Sequence, residues 1–320
     1  MQRVNKNIAR IQAICASIIW GTSFVVIRLG LIFIPTFEFL FFRFFLATMF
    51  FLPYMLIRKT TWRFVIDLFK DPKMWILAFF NAIGFIFQFL GQEITLATTA
   101  AILVNTNVIF VALLSHLILN EKLNKTAFVG IFISFIGTII MTTNLIMNTI
   151  MFHDILGNLL CLASSISWAL YIVLSKKFYG ERDKDPISIV FLWIFMTALY
   201  LAPIVIIRLI LGFTRVYFDS LIIAIALYIA FFCTFLAFIL WFNSLRILKA
   251  TVSSLYFLTE IIVSALLEMY LFSSTMSTIQ IAGGILIVTG ILLTDISMRK
   301  KKKEMKNYCN KAFVRASANI

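Results

Sequence analysis

ATVSSLYFLTEIIVSALL, residues 250–267, repeats an earlier stretch of the same chain, ATTAAILVNTNVIFVALL, residues 97–114. Seven of the aligned positions are identical. Nearer the N-terminus of each half, SIIWGTSFV at residues 17–25 matches SISWALYIV at residues 165–173. Each match alone is weak, because apolar helices share residues by chance. Two matches at equivalent places indicate that the chain consists of two related halves.

The composition is typical of an integral membrane protein rather than a soluble domain. Hydrophobic residues make up 62% of the chain, charged residues make up 13%, and the mean hydropathy is +1.01. A helix needs roughly 20 apolar residues to cross about 30 Å of hydrocarbon. Ten runs approach that length, at residues 8–29, 36–57, 74–91, 98–119, 126–147, 156–174, 186–207, 221–242, 250–272 and 278–296. Because these runs are apolar on every face, they do not fit the alternating strands of a membrane barrel. We predict an all-α integral membrane protein with ten transmembrane helices.

Each related half would contribute five of these helices. An odd number of spans makes the second half enter the membrane from the opposite side. We therefore predict two inverted five-helix repeats, at residues 1–147 and 148–296, followed by a basic cytoplasmic tail at residues 297–320. The offset that aligns the repeats also pairs Gly130 with Gly283. Inverted repeats are typical of secondary transporters, in which the substrate binds near the midplane between the repeats.

The net charge of +14 is concentrated on one side of the predicted membrane. With ten spans, 24 of the 28 Lys and Arg residues fall at the N-terminus, in the tail, or in loops on that same side. By the positive-inside rule this side is cytoplasmic, so both termini are predicted to be cytoplasmic. The distribution argues against a nucleic-acid partner. The basic tail suits contact with anionic lipid headgroups, with a simple cytoplasmic retention signal as the alternative. The short linkers favour a multi-pass protein of a prokaryotic plasma membrane.

Four stretches carry a resemblance to a known family. They are ASIIWGTSFVVIRLG (16–30), FFRFFLATMFFLP (41–53), NTNVIFVALLSHLILNEKL (105–123) and GIFISFIGTII (130–140). With their second-half copies they resemble the drug/metabolite transporter superfamily, in its EamA-like branch. The resemblance extends over nearly the whole chain. It implies a ten-helix inverted-repeat carrier of small metabolites, often an exporter of amino acids or related compounds.

Individual residues match positions that the resemblance marks. Trp20 and Gly21 match the motif of the first span, Arg43 matches an arginine of the second, and Glu121 matches the glutamate that closes the fourth. Glu260 stands where many members have Glu-Pro in the ninth span.

The chain departs from the family pattern at four positions. Val108 and Ile261 stand where proline is usual in spans four and nine, and Ser273 and Ser274 replace the Gly-Glu that commonly ends span nine. Proline removes a backbone hydrogen bond and kinks a helix. Any kink in these two spans must therefore have another cause.

Glu260 is the leading candidate for a residue of the transport pathway. It lies 11 residues beyond Lys249, roughly 16 Å into the predicted span, where a charge costs about 2.5–3.5 kcal/mol. Glu260 belongs to one stripe of polar residues at helical spacing, which consists of Ser253, Tyr256, Glu260, Ser264 and Glu268. Glu268 is predicted at the outer interface, about 28 Å along. The alternative for Glu260 is a buried structural glutamate that joins helices by a hydrogen bond.

Six further residues complete the predicted pathway, namely Trp20, Arg43, Asn81, Asn107, Trp168 and Tyr256. Arg43 lies inside the second span, and Glu260, Glu38 or a carboxylate of the substrate are its candidate partners. Asn107 is the repeat equivalent of Glu260. Asn81 shares a helical face with Gln88. Packing is the alternative role for the two tryptophans, and a structural ion pair is the alternative for Arg43.

Patterns of catalysis and metal binding are not visible in the sequence. The two histidines, His116 and His153, form no ligand cluster, and there is no nucleophile elbow, phosphate loop or ATPase cassette. We therefore expect no enzyme activity and no cofactor. The predicted function is secondary transport of small metabolites, favouring export of amino-acid-like compounds, with proton coupling at Glu260 because a carboxylate at low dielectric binds a proton readily. An uncoupled facilitator or channel-like permease and a membrane-embedded enzyme are the alternatives.

Overall fold

The computed structural model describes residues 6–57, 61–94, 103–143, 155–180, 185–213, 219–272 and 277–317. Within these ranges every regular element is helical. The helices are α1 (Lys6–Leu31), α2 (Thr36–Ile57), α3 (Thr61–Lys70), α4 (Pro72–Ile94), α5 (Asn107–Leu119), α6 (Lys125–Thr143), α7 (Ile155–Tyr179), α8 (Pro186–Ile210), α9 (Ser220–Tyr228), α10 (Ala237–Ile247), α11 (Ala250–Leu255), α12 (Thr259–Phe272) and α13 (Thr278–Ser317). A π-helical segment, Ile229–Leu236, joins α9 to α10, and a 3₁₀ turn, Tyr256–Leu258, joins α11 to α12.

Eight helical stretches of the described residues are long and apolar enough to cross a membrane. They correspond to eight of the ten predicted runs, and two of them, Ser220–Ile247 and Ala250–Leu267, pass through joined helices. The predicted fourth and fifth runs correspond to shorter apolar helices, Leu103–Leu119 and Lys125–Met141. The predicted all-helical membrane architecture is confirmed, whereas the count of ten spans stays a prediction.

Two helical features lie outside the predicted spans. Helix α3 occupies the linker between the second and third spans, where it buries Val65 and Leu68 and leaves Ile66 exposed. Helix α13 continues beyond residue 297, where the sequence predicts the tail to begin, as far as Ser317. The tail therefore starts as a continuation of the last helix.

One end of the bundle gathers basic side chains, and we call it the basic end. Helix α1 begins there, and Arg10 binds Asp295 of α13 through two hydrogen bonds of 2.8 and 3.0 Å. One turn further along α13, Met298 contacts the Lys249 ammonium. The neighbouring Leu248 carbonyl accepts a hydrogen bond from Lys176. Helices α1, α7, α11 and α13 therefore share this end.

Helices α6 and α13 cross closely at glycine residues. A β-carbon added at Gly290 would lie 2.3 Å from the Gly130 carbonyl oxygen, and one added at Gly137 would lie 2.7 Å from the Gly283 carbonyl oxygen. The contacts run in opposite directions along the two helices, so the pair is antiparallel. Since packing rather than water exclusion joins helices in lipid, small residues at the crossing bring the backbones together.

The helix predicted over residues 250–272 is interrupted by the 3₁₀ turn. Thr259 ends the turn, and its hydroxyl donates to the Tyr256 carbonyl at 2.7 Å. The first half has the same arrangement in its equivalent stretch, where the Thr106 hydroxyl donates to the Leu103 carbonyl at 2.5 Å and Thr106 interrupts the helix. Each half therefore has an interruption within four residues of the residue pair Asn107 and Glu260.

Both helices are interrupted next to the positions where the family's prolines are missing. Val108 and Ile261 lie in the first turn of α5 and α12, directly after the breaks. Thr22 and Ser23 make the same kind of bond inside the uninterrupted helix α1. The threonine hydroxyls therefore accompany these interruptions and do not by themselves produce them.

Candidate functional site

Five of the predicted pathway residues line one cavity. They are Trp20, Arg43, Asn107, Trp168 and Glu260. These residues come from α1, α2, α5, α7 and α12, so residues far apart in the sequence converge on one space. Aromatic rings complete the wall, namely Phe85, Tyr171, Phe238, Trp241 and Phe257.

Glu260 enters the cavity from the first turn of α12. Within the described residues, its carboxylate has no hydrogen-bond or ion-pair partner. Helix α12 is fixed against α1 close to Glu260, since the Ser264 hydroxyl donates to the Gly21 carbonyl at 2.7 Å. A β-carbon added at Gly21 would lie 2.7 Å from the Val263 β-carbon. Glycine at this position therefore allows the helix that carries Glu260 to approach α1.

Arg43 binds neither Glu260 nor Glu38, the two carboxylates of the chain that the sequence suggests as partners. Its Nε donates to the Thr234 hydroxyl at 2.8 Å, and one terminal nitrogen donates to the Cys233 carbonyl at 3.4 Å. Glu38 binds Arg208 instead, at 2.9 Å. The guanidinium lies over the Phe85 ring, 4.3 Å from its centroid. Its other terminal nitrogen has no hydrogen-bond partner among the described residues, although Arg43 is only 2% exposed.

The π-helical segment explains how Cys233 can accept these bonds. The Ala237 N–H donates to the Phe232 carbonyl, five residues back, instead of to Cys233, four residues back. The Cys233 carbonyl accepts from the Trp20 indole at 2.7 Å and from Arg43. Single π-helical turns inside α-helices are rare and frequent at functional sites. Here the turn supplies an acceptor that positions two cavity residues.

Asn107 and Trp168 both line the cavity, and they differ in the contacts that hold their side chains. Asn107 is 7% exposed, and its side-chain oxygen has no hydrogen-bond partner. The Trp168 indole donates to the side-chain oxygen of Gln88 at 3.2 Å. Its ring covers Gly84, where an added β-carbon would be in contact at 3.4 Å, and meets Phe85 edge to face with centroids 4.6 Å apart. Trp168 is held firmly, whereas the Asn107 amide is available to a ligand.

Two predicted pathway residues lie away from this cavity. Asn81 is fully buried, and its amide donates to the Thr197 hydroxyl at 2.9 Å. The Tyr256 hydroxyl donates to Asp295 at 3.4 Å, towards the basic end. Both side chains join helices to one another. The polar stripe of the sequence is therefore divided by the 3₁₀ turn, with Glu260 at the cavity and Tyr256 directed towards α13.

Sequence reasoning missed several polar groups of the wall. Ser23 and Asn105 line the cavity, and the Cys233 carbonyl supports it. Asn105 was detectable, because two amides stand close together in the apolar run LVNTNVIF. Ser23 follows Trp20 by one helical turn and shares its face. The π-helical turn has no such signal, since IAFFCTFL reads as an ordinary apolar helix.

Comparison with known proteins identifies the family. The sequence profile of the EamA-like transporter family matches residues 7–143 and 155–295. The chain belongs to the EamA-like transporter family. The predicted resemblance is confirmed, and this EamA-like protein is a multi-pass membrane transporter.

Relatives and a solved structure agree with this placement. An uncharacterized transporter of Archaeoglobus fulgidus is 26% identical over 284 residues, which cover 87% of this EamA-like chain and 93% of the relative. The uncharacterized transporter YyaM of Bacillus subtilis is 26% identical over 71% of this chain and 72% of its own. A crystal structure with 17% identity covers 91% of this chain and 98% of its own at a TM-score of 0.75, so the two share a fold.

Proposed function

We propose that this protein is a secondary transporter that exports small zwitterionic metabolites of the amino-acid class by alternating access, coupled to protons through Glu260. The cavity carries the proposal. Within the described residues, it combines an unpartnered carboxylate at Glu260, an unpartnered guanidinium nitrogen at Arg43 and an unpartnered amide oxygen at Asn107. Groups of both charges in one cavity suit a small ligand that also carries both charges.

The chemistry of the wall favours a zwitterion over a sugar. An ammonium group can bind the Glu260 carboxylate and the Asn107 oxygen, and a carboxylate can bind the free nitrogen of Arg43. Aromatic faces such as Trp20 and Phe257 stabilise a cation and an apolar side chain alike. A sugar would leave both charges unpaired, which is costly in a buried site.

An inverted repeat and alternating access are supported by three observations. The family profile matches two consecutive segments of the chain, and a helix is interrupted within four residues of Asn107 in the first and of Glu260 in the second. At the crossing of α6 and α13, the Ser134 hydroxyl donates to the Ile287 carbonyl at 3.2 Å, and the two residues are 153 positions apart, as Gly130 and Gly283 are. A residue that contacts its own repeat equivalent is expected beside a pseudo-two-fold axis.

The orientation and direction of transport belong to the same proposal. The one-sided charge favours cytoplasmic termini in a plasma membrane, which would bring the basic tail near anionic lipid headgroups. Resemblance to EamA-like exporters supports the outward direction.

Counterflow in proteoliposomes tests the substrate class. Vesicles are loaded with one unlabelled neutral amino acid at a time, and uptake of the same labelled compound is followed, with glucose as a non-ionic control. We expect saturable counterflow for at least one zwitterion and none for glucose. Uptake that neither saturates nor depends on the loaded compound would indicate a channel-like permease. Absence of counterflow for every zwitterion would overturn the proposed substrate class.

An imposed pH gradient tests the coupling. We expect the gradient to drive accumulation in the parent protein, and Glu260→Gln to abolish accumulation while counterflow persists. Asp67→Asn removes an exposed carboxylate of α3 and serves as the matched control, with unchanged accumulation expected. Accumulation that ignores the gradient in the parent protein would leave an uncoupled facilitator.

A further inference from the structure

Glu121 connects three separate segments at the basic end. Its carboxylate accepts from the backbone N–H of Ala250 at 2.9 Å and from the N–H of Thr251 at 3.5 Å. It therefore caps the first turn of α11 from outside that helix, because Lys249, which precedes α11, provides no side-chain cap. Anionic groups are stabilised at a helix N-terminus by the unpaired N–H groups and the helix dipole.

Lys176 completes the arrangement from the end of α7. Its ammonium lies 3.5 Å from the Glu121 carboxylate and donates to the Leu248 carbonyl, in the loop before α11. Next to this ion pair, the Ser115 and Thr251 hydroxyls are 2.8 Å apart. Glu121 is 8% exposed. The ion pair thus fastens the end of α5 and the end of α7 to the start of α11.

The ion pair and the cavity lie towards opposite ends of the same helices. In and just before α5, the cavity is lined by Val104, Asn105 and Asn107, whereas Glu121 follows the last residue of that helix. On the other side, Glu260 lines the cavity while Ala250 and Thr251 meet Glu121. The described structure is therefore fastened on the basic side of the cavity.

We propose that Glu121 and Lys176 form a gate latch that keeps the basic end closed. The inference rests on the proposed transport function and specifies how one of its two ends is held shut. Substrate would then have to overcome the ion pair to open the cavity towards the basic end.

Single reporter cysteines in a chain without native cysteines test the latch. Ser253→Cys reports on the basic side of the cavity, since Ser253 is fully buried just beyond Thr251. Ser23→Cys reports on the cavity wall. The labelling rate of each by a small maleimide is measured in purified, detergent-solubilised full-length protein. We expect rapid labelling at position 23 and slow labelling at position 253.

Variants of the latch should change these rates in a defined direction. Loss of one charge-assisted hydrogen bond shifts a two-state equilibrium by roughly tenfold or more. We therefore expect Glu121→Gln and Lys176→Met each to raise the rate at position 253 by about tenfold. Lys176→Arg, which keeps the ion pair, and Asp67→Asn, which removes an exposed charge, should leave it unchanged. Equal thermal stability of the variants separates opening from unfolding.

Unchanged labelling rates at position 253 in both Glu121→Gln and Lys176→Met would overturn the proposal. Counterflow is measured separately, so the outcomes are distinguishable. If the labelling rates shift but no counterflow is found, the latch is retained and the transport function is rejected. If counterflow is found but the labelling rates do not shift, the transport function is retained and the latch is rejected.

Discussion

Arg43 is the residue whose role depends most on its tertiary surroundings. Its charge within an apolar helix predicted a carboxylate partner, but a threonine hydroxyl and a backbone carbonyl bind it instead. Neutral acceptors leave the positive charge uncompensated, and the Phe85 face adds only a modest cation–π contribution. The arginine is therefore positioned by the protein while its charge stays available to an anionic group.

Thr234→Val should destabilise the protein through Arg43. The substitution removes the acceptor of the Arg43 Nε and leaves a buried N–H unpaired, which costs about 1–3 kcal/mol. Thr48→Val is the matched control, because the Thr48 hydroxyl is also buried but bonds only to the Phe44 carbonyl of its own helix. Thermal unfolding in detergent should show a lower midpoint for Thr234→Val than for Thr48→Val. Equal midpoints would mean that Arg43 finds another acceptor.

At the scale of elements, the sequence predicts the helices better than their interruptions. Apolar run length predicted the spans, because crossing hydrocarbon sets a minimum length. The breaks beside Thr106 and Thr259 have no such signal, because a threonine that bonds to its own backbone also stands inside the unbroken helix α1, at Thr22. The π-helical turn depends on Trp20 and Arg43 from other helices. The sequence indicated Glu260, but it could not indicate the hydrogen bonds that position the neighbouring cavity residues Trp20 and Arg43.

Proline at the breaks offers a test of their position. Val108 is the second residue of α5, where the backbone N–H has no partner within a regular helix. We expect Val108→Pro to fold with little loss of thermal stability. Ala112→Pro, one turn further along and also buried, should lose about 3 kcal/mol or more, because it removes an internal hydrogen bond. Similar losses in both variants would show that α5 begins before Thr106.

Neighbouring glycines in α13 test the close crossing with α6. A β-carbon at Gly283 would lie 2.6 Å from the Met141 backbone nitrogen, whereas one at Gly284 would meet only the flexible end of that methionine, at 3.6 Å. We expect Gly283→Ala to reduce the free energy of unfolding by about 1–3 kcal/mol and Gly284→Ala to be neutral. Unfolding in detergent measures both. Equal tolerance would mean that the two helices can separate without loss.

The molecule as a whole joins a tightly crossed pair, α6 and α13, to a cavity formed by helices that break beside Asn107 and Glu260. Glycine crossings resist separation, while broken helices allow one segment to tilt relative to the next. The basic end closes the cavity through side chains, and side-chain contacts are easier to exchange than a backbone crossing. A transport cycle would therefore open and close at the helix ends and keep the α6–α13 crossing.

A reversible crosslink at the basic end tests this whole-molecule motion. The Ser115 and Thr251 hydroxyls are 2.8 Å apart, so cysteines at these positions can form a bond of about 2.05 Å between their sulfur atoms with small adjustments. In a chain without native cysteines, the oxidised Ser115→Cys/Thr251→Cys protein should lose counterflow completely and recover it on reduction. The response of tryptophan fluorescence to a transported zwitterion should survive oxidation, because Trp20, Trp168 and Trp241 line the cavity on the far side of the crosslink. Ser115→Cys alone should transport under both conditions. Full counterflow in a protein with a verified crosslink would show that substrate does not pass through the basic end.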